Sequence, residues 1–199
     1  MADIPVKNSL DDKLAGIRAS GGTPRLLLHC CCAPCAVYVL EYLSPFFEIT
    51  VLFYNPNIRP REEYDKRAAE LQKLPIAKYP NKVDVFVTEY EPTVFDISTT
   101  RLEDEPEGGL RCAVCFRLRL TETARRARED GYEYFTTTLS VSPYKNAALL
   151  NEIGGELAGE YGVGYLTSDF KKRDGYKRSI ELSNQFGLYR QSYCGCKPR

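Results

Sequence analysis

The stretch LLLHCCCAPC, residues 26–35, joins a run of apolar residues to a cluster of four cysteines. Residues 26–29 predict a short buried strand, since a brief apolar run bounded by a turn signal is typical of a parallel-sheet core. Residues 36–43, which follow Pro34, predict a helix. The chain therefore passes from a strand, through cysteines, into a helix.

The same strand–helix alternation continues outward from this stretch. Further strands are predicted over residues 49–54, 83–88, 134–138 and 163–166, and further helices over residues 61–74, 112–129, 145–161 and 176–186. Repeated strand–helix units favour an α/β fold, a Rossmann-like parallel sheet with helices on both faces. Residues 1–24 are predicted as a polar lead-in and residues 25–199 as one domain.

The composition is that of an ordinary globular protein and excludes a wholly disordered or collagen-like chain. The 199 residues are 43% hydrophobic and 27% charged, and 27 basic residues cancel 27 acidic ones. Contact with nucleic acid would therefore need a local basic patch. The first residues hold no apolar secretory segment, and residues 26–40 are shorter than the ~20 residues of a membrane helix. We expect a cytoplasmic protein without a membrane partner.

Eight cysteines form three tight groups, HCCCAPC, RCAVC and YCGC. Because disulfides are disfavoured in a reducing compartment, grouped cysteines of this kind indicate metal ligands or redox thiols. An iron–sulfur or iron site, a structural zinc and a redox dithiol are the alternatives. One zinc takes four ligands, so eight cysteines favour iron. Cys30 is predicted to be a core residue, since neighbours along a strand point to opposite faces.

Polar and thiol residues fall at the predicted carboxyl ends of the strands, where parallel sheets bind ligands. His29, the only histidine, is a candidate proton donor or a buried structural residue. Ser142 is predicted to cap a helix that starts at Pro143, and Lys145 is a phosphate contact, a proton donor or an ordinary surface lysine. Asp169 is a candidate metal ligand or a turn cap.

A basic run occupies the last part of the chain. Residues 171–199 hold eight Lys and Arg against Asp174 and Glu181, a net charge of +6. Tyrosines are interleaved with these charges, which suits a polynucleotide backbone and stacked bases. A solvated surface without a partner is the alternative interpretation.

Six separated blocks together resemble the QueH type of epoxyqueuosine reductase over residues 26–196. They are LLHCCCAPC, NPNIRPREEYDKR, GGLRCAVCFRLRLTETA, YFTTTLSVSPYKN, SDFKKRDGYKRS and LYRQSYCGC. The resemblance implies a nucleotide-hydrolase-like (HUP) fold, a 4Fe–4S cluster with an adjacent mononuclear iron, and independence of cobalamin. It implies the last step of queuosine synthesis, in which an epoxide on a tRNA wobble base is reduced to the alkene with loss of water.

The resemblance also implies which cysteines bind metal, whereas the proton donors and tRNA contacts that follow are hypotheses of ours, the tRNA contacts resting on the net charge of +6. The metal-binding cysteines would be Cys31, Cys32, Cys35, Cys112, Cys115, Cys194 and Cys196. Proton donors would be His29, Tyr144 or Lys145. Contacts to anticodon-loop phosphates would come from Lys171, Lys172, Arg173, Lys177 and Arg178. A low-potential electron donor would be a further partner. An ATP-dependent tRNA thiolation enzyme of the HUP type and a non-catalytic zinc-binding RNA module are the rival functions.

Overall fold

A parallel sheet forms the centre of the molecule in the computed structural model, which describes residues 9–197. Within these residues the sheet has five strands, and its spatial order is β3-β2-β1-β4-β5. The strands are β1 (Arg25–His29), β2 (Glu48–Phe53), β3 (Val83–Val87), β4 (Tyr134–Thr137) and β5 (Gly164–Tyr165). Every neighbouring pair is parallel, which confirms the predicted α/β class.

Helices connect the strands and cover the sheet. In the described part of the chain they are α1 (Leu10–Ser20), α2 (Ala33–Leu43), α3 (Arg61–Glu70), α4 (Pro92–Ser98), α5 (Leu110–Glu129), α6 (Ala147–Tyr161) and α7 (Gly175–Gln185). Among these helices, none is both long and apolar enough to cross a lipid bilayer.

The strand order places a topological switch between β1 and β4. From β1 the chain builds β2 and β3 on one side, and then returns to build β4 and β5 on the other. In such sheets the crossovers on the two sides leave a crevice at the carboxyl ends of the two central strands. Residues 30–35 follow β1 directly, so the fold places them in this crevice.

Alternating side chains of β1 divide the core into two layers. Leu26 and Leu28 pack in one layer with α1, α2 and α7, while Leu27 packs in the other with α5 and α6. All three leucines are almost fully buried. Burial of each contributes about 1.5–3 kcal/mol relative to exposure, so the apolar run that predicted β1 also fixes its position between two helical layers.

The N-terminal region differs from the predicted polar lead-in. Residues 10–20 form α1, and Ser9 caps it: Ser9 Oγ accepts from the Asp12 amide at 3.2 Å, while Asp12 accepts from the Ser9 amide at 2.9 Å. Leu14 and Ile17 are buried against the core. Leu10, Leu14 and Ile17 follow a helical spacing, but three large apolar residues in eleven were too few to predict this helix.

Three helix predictions are corrected by the structure. The helix predicted from residue 145 begins at Ala147, because Asn146 is its cap and accepts from the Leu149 amide at 3.1 Å. Ser142 instead ends a 3-10 turn over Thr138–Val141. The helix predicted over residues 61–74 ends as an α-helix at Glu70. Helix α4 was not predicted at all.

Candidate metal centre

The cysteines of residues 30–35, hereafter the strand-end loop, are held by the junction of β1 and α2. Cys32 is the N-cap residue of α2 and Cys35 lies in its first turn. The sulfurs of Cys31, Cys32 and Cys35 all lie within 4.8 Å of one another. A helix N-terminus stabilises thiolates through its partial positive charge, so this loop presents at one point three sulfurs that could hold a metal ion.

Cys30 has a different environment from its three neighbours. It is fully buried among the apolar residues of the core, and its thiol donates to the Cys32 carbonyl at 3.2 Å. Burial raises the pKa of Cys30 well above its usual value, so the group is a neutral thiol. The structure thus places it where the alternation of strand side chains predicted.

The second group of cysteines combines the start of α5 with residues 193–196, hereafter the C-terminal tail. Cys112 and Cys115 lie three residues apart on α5, and both are buried. Burial raises the pKa of Cys115 to about 11, with Cys194 and Cys112 as neighbouring charges that add to the shift. The cysteines at the start of α5 and in the C-terminal tail are therefore electrostatic neighbours.

Arg67 on α3 fixes the C-terminal tail. Its guanidinium is almost completely buried, pairs with Glu63 at 2.7 Å and donates to the Cys194 carbonyl at 3.1 Å. Gly195 has φ +96°, and a Cβ there would lie 3.0 Å from Arg67 Nη2. The tail therefore turns against Arg67 with a positive φ that only glycine adopts without strain.

Buried cations balance the thiolates. Arg119 is only 2% exposed, and its Nε donates to the Cys115 carbonyl at 3.2 Å. Burial opposes its charge, but nearby thiolates, Cys115 and Cys194 foremost, raise its pKa above the usual value. Arg111 Nη2 lies 3.7 Å from the Cys196 sulfur. Two of the arginines flanking RCAVC are thus placed to stabilise a negatively charged centre.

Lys145 links the cysteines to solvent. Its Nζ lies 3.5 Å from the Cys194 sulfur and 2.7 Å from Glu107 Oε1. Burial opposes its charge, but the Cys194 thiolate and the Glu107 carboxylate raise its pKa. A hydrogen bond from Cys196, together with Lys145 and Arg119, lowers the pKa of Cys194 to about 5. Lys145 is therefore an ammonium next to a thiolate.

A cavity of about 470 Å³ opens beside the sulfurs, hereafter the main cavity. The residues that line it and were predicted as site residues are Cys31, Cys32, Cys35, Cys194, Tyr144 and Lys145. The Tyr144 side chain is 75% exposed. Arg67, Arg119, Tyr176 and Arg190 also line the cavity. The structure therefore brings thiols, cations and aromatic rings to the edge that the sheet order defines.

His29 does not reach the main cavity. Its Nδ1 is hydrogen-bonded to Thr137 Oγ1 at 2.8 Å, and its Nε2 lies 3.2 Å from the Tyr54 carbonyl. Burial, with the charge of Arg119, lowers its pKa to about 3. The imidazole is therefore neutral and ties together β1, β2 and β4, which is the structural alternative considered for it.

The predicted phosphate contacts lie away from the cysteines, in and before α7. Lys171 and Lys172 approach Asp169 at 2.7 and 3.9 Å, Arg173 pairs with Asp11 at 2.5 Å, and Arg178 pairs with Glu41 at 2.8 Å. Lys177 is exposed. Asp169 lines a separate cavity that no cysteine lines in the described chain. Its carboxylate therefore does not join the sulfurs as a ligand.

The donor set fits an iron–sulfur centre. All eight cysteines, which lie within the described residues, are free thiols. Arg111 Nε is buried and finds no hydrogen-bond partner among the described residues, while the same guanidinium faces Cys196. A buried donor left unpaired costs about 1–3 kcal/mol, so an anionic group beside Cys196 would satisfy it. Inorganic sulfide within a thiolate-held cluster is such a group.

Comparison with known proteins gives one consistent result. The family described as "Epoxyqueuosine reductase QueH" matches residues 26–197. A relative with that name from Staphylococcus epidermidis is 47% identical over 182 residues, covering 88% of this chain and 76% of the relative. One from Streptococcus pyogenes serotype M1 is 46% identical, covering 87% and 69%. One from Thermotoga maritima is 36% identical, covering 86% and 88%.

Proposed function

The chain belongs to the epoxyqueuosine reductase QueH family, and from this membership we propose that it reduces the epoxide of epoxyqueuosine in tRNA to the alkene of queuosine, releasing water. This is the last step in the synthesis of the modified base. The observation that carries the proposal for this chain is that cysteines of the strand-end loop and the C-terminal tail line one cavity, while Cys115 of α5 is an electrostatic neighbour of Cys194. An ATP-dependent thiolase is not favoured, since cysteines follow β1 where a phosphate loop would lie.

We assign a 4Fe–4S cluster and an adjacent mononuclear iron to the seven cysteines of the strand-end loop, α5 and the C-terminal tail. One cluster or one zinc takes four ligands, so seven thiols leave room for a second metal. Soft thiolate ligands select iron–sulfur chemistry over hard cations. When bound, these groups supply single electrons and Lewis acidity without cobalamin. The surrounding arginines lower the cost of concentrating thiolates in a buried site.

Lys145 and Tyr144 are the proposed proton donors. Loss of the epoxide oxygen as water needs two protons in addition to two electrons. Lys145 Nζ is buried at the cavity wall, while its partner Glu107 is about half exposed. Protons can therefore pass from solvent through the carboxylate to the ammonium, which faces the cavity. The exposed Tyr144 hydroxyl at the cavity mouth is the second donor.

The tRNA would contact the basic residues in and before α7. The exposed ion pairs of Arg173 and Arg178 contribute little to stability, so phosphates can replace their carboxylate partners. Lys172 and Lys177 are exposed and add further charge. Tyr176 and Arg190 lie between this surface and the main cavity, where a splayed wobble base would enter. Reversing Lys172 and Lys177 to Glu should weaken tRNA binding and flatten its salt dependence; an unchanged slope contradicts this placement.

The decisive experiment combines metal analysis with turnover. Protein purified without oxygen should be brown and contain iron, and with dithionite it should convert epoxyqueuosine tRNA to queuosine tRNA, measured by mass spectrometry of the nucleosides. Cys35→Ala should lose iron and activity, because its sulfur belongs to the cluster of three. Cys30→Ala is the matched control and should keep both, since Cys30 is a core residue. An active protein that holds only zinc would contradict the proposal.

A further inference from the structure

A second cavity of about 400 Å³ approaches the metal centre from another direction. Cys196 lines it, together with Arg111, Arg59 and residues of α4 and the segment after it. Within the described chain, this cavity and the main cavity share no lining residue. The unpaired Arg111 Nε lies beside it. The cysteine set is therefore reached through two separate openings, one at Cys31, Cys35 and Cys194 and one at Cys196.

The rim of the second cavity exposes large apolar side chains. Ile97 is 72% exposed and lines the cavity, and Val94, three residues earlier on the same face of α4, is 37% exposed. Leu110, next to Arg111 at the start of α5, is 63% exposed. Of these three side chains only Ile97 lines the cavity, and the three together add apolar contact area for a protein partner near the opening.

The segment around this rim carries a strong negative charge. Residues 89–105 hold six acidic residues against the single Arg101, a net charge of −5, and Glu107 just after them belongs to the main cavity. Residues 171–199, proposed above to meet the tRNA, have a net charge of +6. A polyphosphate would be repelled by the first segment and attracted by the second. In the lining of the cavity, Arg59 and Arg111 balance Asp96 and Glu103, so the surplus negative charge lies on the surrounding segment. That surplus favours a protein with a basic surface over a nucleic acid.

From these observations we propose that the surface around the second cavity, hereafter the acidic face, is the docking site of a redox protein whose exposed cofactor edge is ringed by basic residues. The proposal rests on the proposed function, because epoxide reduction consumes two electrons while the tRNA covers the main cavity. Each encounter oxidises the donor by one electron and reduces the metal centre by one electron on the Cys196 side. Two encounters and two protons convert one epoxide to alkene and water.

The test measures electron exchange with a basic probe, cytochrome c, by stopped flow. The protein is reduced with dithionite, freed of reductant and mixed with oxidised cytochrome c at low and high salt. The wild type should react rapidly at low salt and more slowly at high salt. Glu103→Lys with Asp104→Lys should lower the low-salt rate constant about 10-fold or more, because electrostatic steering is worth factors of this size. With flavodoxin, an acidic probe, the same variant should react faster than the wild type.

The matched control reverses two exposed acids on α6, Glu152→Lys with Glu160→Lys, and should leave both rate constants unchanged. Iron content and dithionite-driven turnover should be equal in all three proteins. Equal rate constants for the wild type and the Glu103/Asp104 variant would overturn the acidic face. So would a control variant whose low-salt rate constant falls as much, or a Glu103/Asp104 variant that loses iron. A protein that exchanges electrons with cytochrome c but does not reduce epoxyqueuosine tRNA refutes the proposed function alone.

Discussion

The strand-end loop and the C-terminal tail both bring cysteines to the metal centre, but different kinds of contact hold them there. The loop is fixed locally by β1 before it and by the first turn of α2 after it. The tail follows α7 without regular structure and is fixed by two residues more than 120 positions earlier in the chain. Arg67 donates to the Cys194 carbonyl, and the Arg59 amide donates to the Gly195 carbonyl at 2.8 Å. Local structure thus preorganises one half of the site and tertiary contacts hold the other.

This difference predicts how the two halves respond to loss of metal and to mutation. The loop should keep its shape without metal, because β1 ends directly before it at His29 and residues 33–35 belong to α2. The tail is held by the buried Arg67, which is itself paired with Glu63, and by a few backbone contacts. We therefore expect its order to depend on those contacts and on the proposed metal ligation together. Substitutions that act on the tail should therefore change metal binding more than substitutions of similar size beside the loop.

Arg67→Ala is expected to have the largest effect. It removes the donor to the Cys194 carbonyl and leaves the buried Glu63 without its partner. Breaking a buried ion pair from one side costs about 3–5 kcal/mol. If Cys194 and Cys196 are iron ligands as proposed, iron should be lost with the tail. Denaturant unfolding and iron analysis of the anaerobic protein measure the two effects.

The control for this change is Arg61→Ala, six residues earlier on α3. Arg61 also pairs with a carboxylate four residues away, Asp65 at 3.0 Å, but both side chains are more than half exposed. Exposed pairs contribute about 0.2–1 kcal/mol, so this variant should retain its iron. Equal destabilisation by the two substitutions would show that Arg67 has no special role in holding the tail.

Lys145→Gln should have the next largest effect, and it should act on the reaction rather than on folding. The change removes the ammonium beside Cys194 while leaving Glu107 about half exposed to solvent. Loss of a positioned proton donor lowers rates about 10²–10⁴-fold. Single-turnover conversion of epoxyqueuosine tRNA measures the rate, and tRNA affinity and iron content should stay close to those of the wild type. A variant with full activity would remove Lys145 from the proton path.

Gly195→Ala is expected to have a smaller effect confined to the tail. Alanine would have to adopt φ +96°, which is unfavourable for a residue with a side chain. Its Cβ would also lie 3.0 Å from Arg67 Nη2. Such a strained position costs about 1–3 kcal/mol. The measurement is iron affinity in a chelator competition, with global unfolding as the second readout. Gly187→Ala is the control, since φ there is +60° and no atom lies within 4 Å of the added carbon; equal chelator sensitivity would contradict the tail contact.

The sequence predicted the half of the site that local patterns encode. Alternation of strands and helices predicted the parallel sheet, and the rule that ligands gather at carboxyl strand ends placed the strand-end loop correctly. The environment of Cys30 followed from strand alternation alone. These features depend on the periodic pattern of apolar residues and on the position of the loop directly after a strand. Both are visible in about ten consecutive residues of sequence.

The sequence did not predict the contacts that hold the tail. Arg67 lies in a helix whose many charges indicated a solvated surface, and nothing within the helix distinguishes it from the exposed Arg61. Arg67 differs from Arg61 because it donates to the Cys194 carbonyl, 127 residues later in the chain. Only the folded structure brings these two groups together. The position of the segment after α4 beside Cys196 likewise depends on long-range packing.

Asn146→Ala is expected to have the smallest effect. It distinguishes between two candidate cap residues for α6, Asn146 and Ser142. The Asn146 side chain accepts from the Leu149 amide, whereas Ser142, the cap predicted from the sequence, accepts only from the exposed Tyr144 amide at 3.3 Å. Loss of a helix cap costs about 0.5–2 kcal/mol. Denaturant unfolding should therefore show a loss of about 1 kcal/mol for Asn146→Ala and a smaller one for Ser142→Ala. The reverse order would restore Ser142 as the cap and would mean that α6 begins earlier, nearer to Lys145 and the tail.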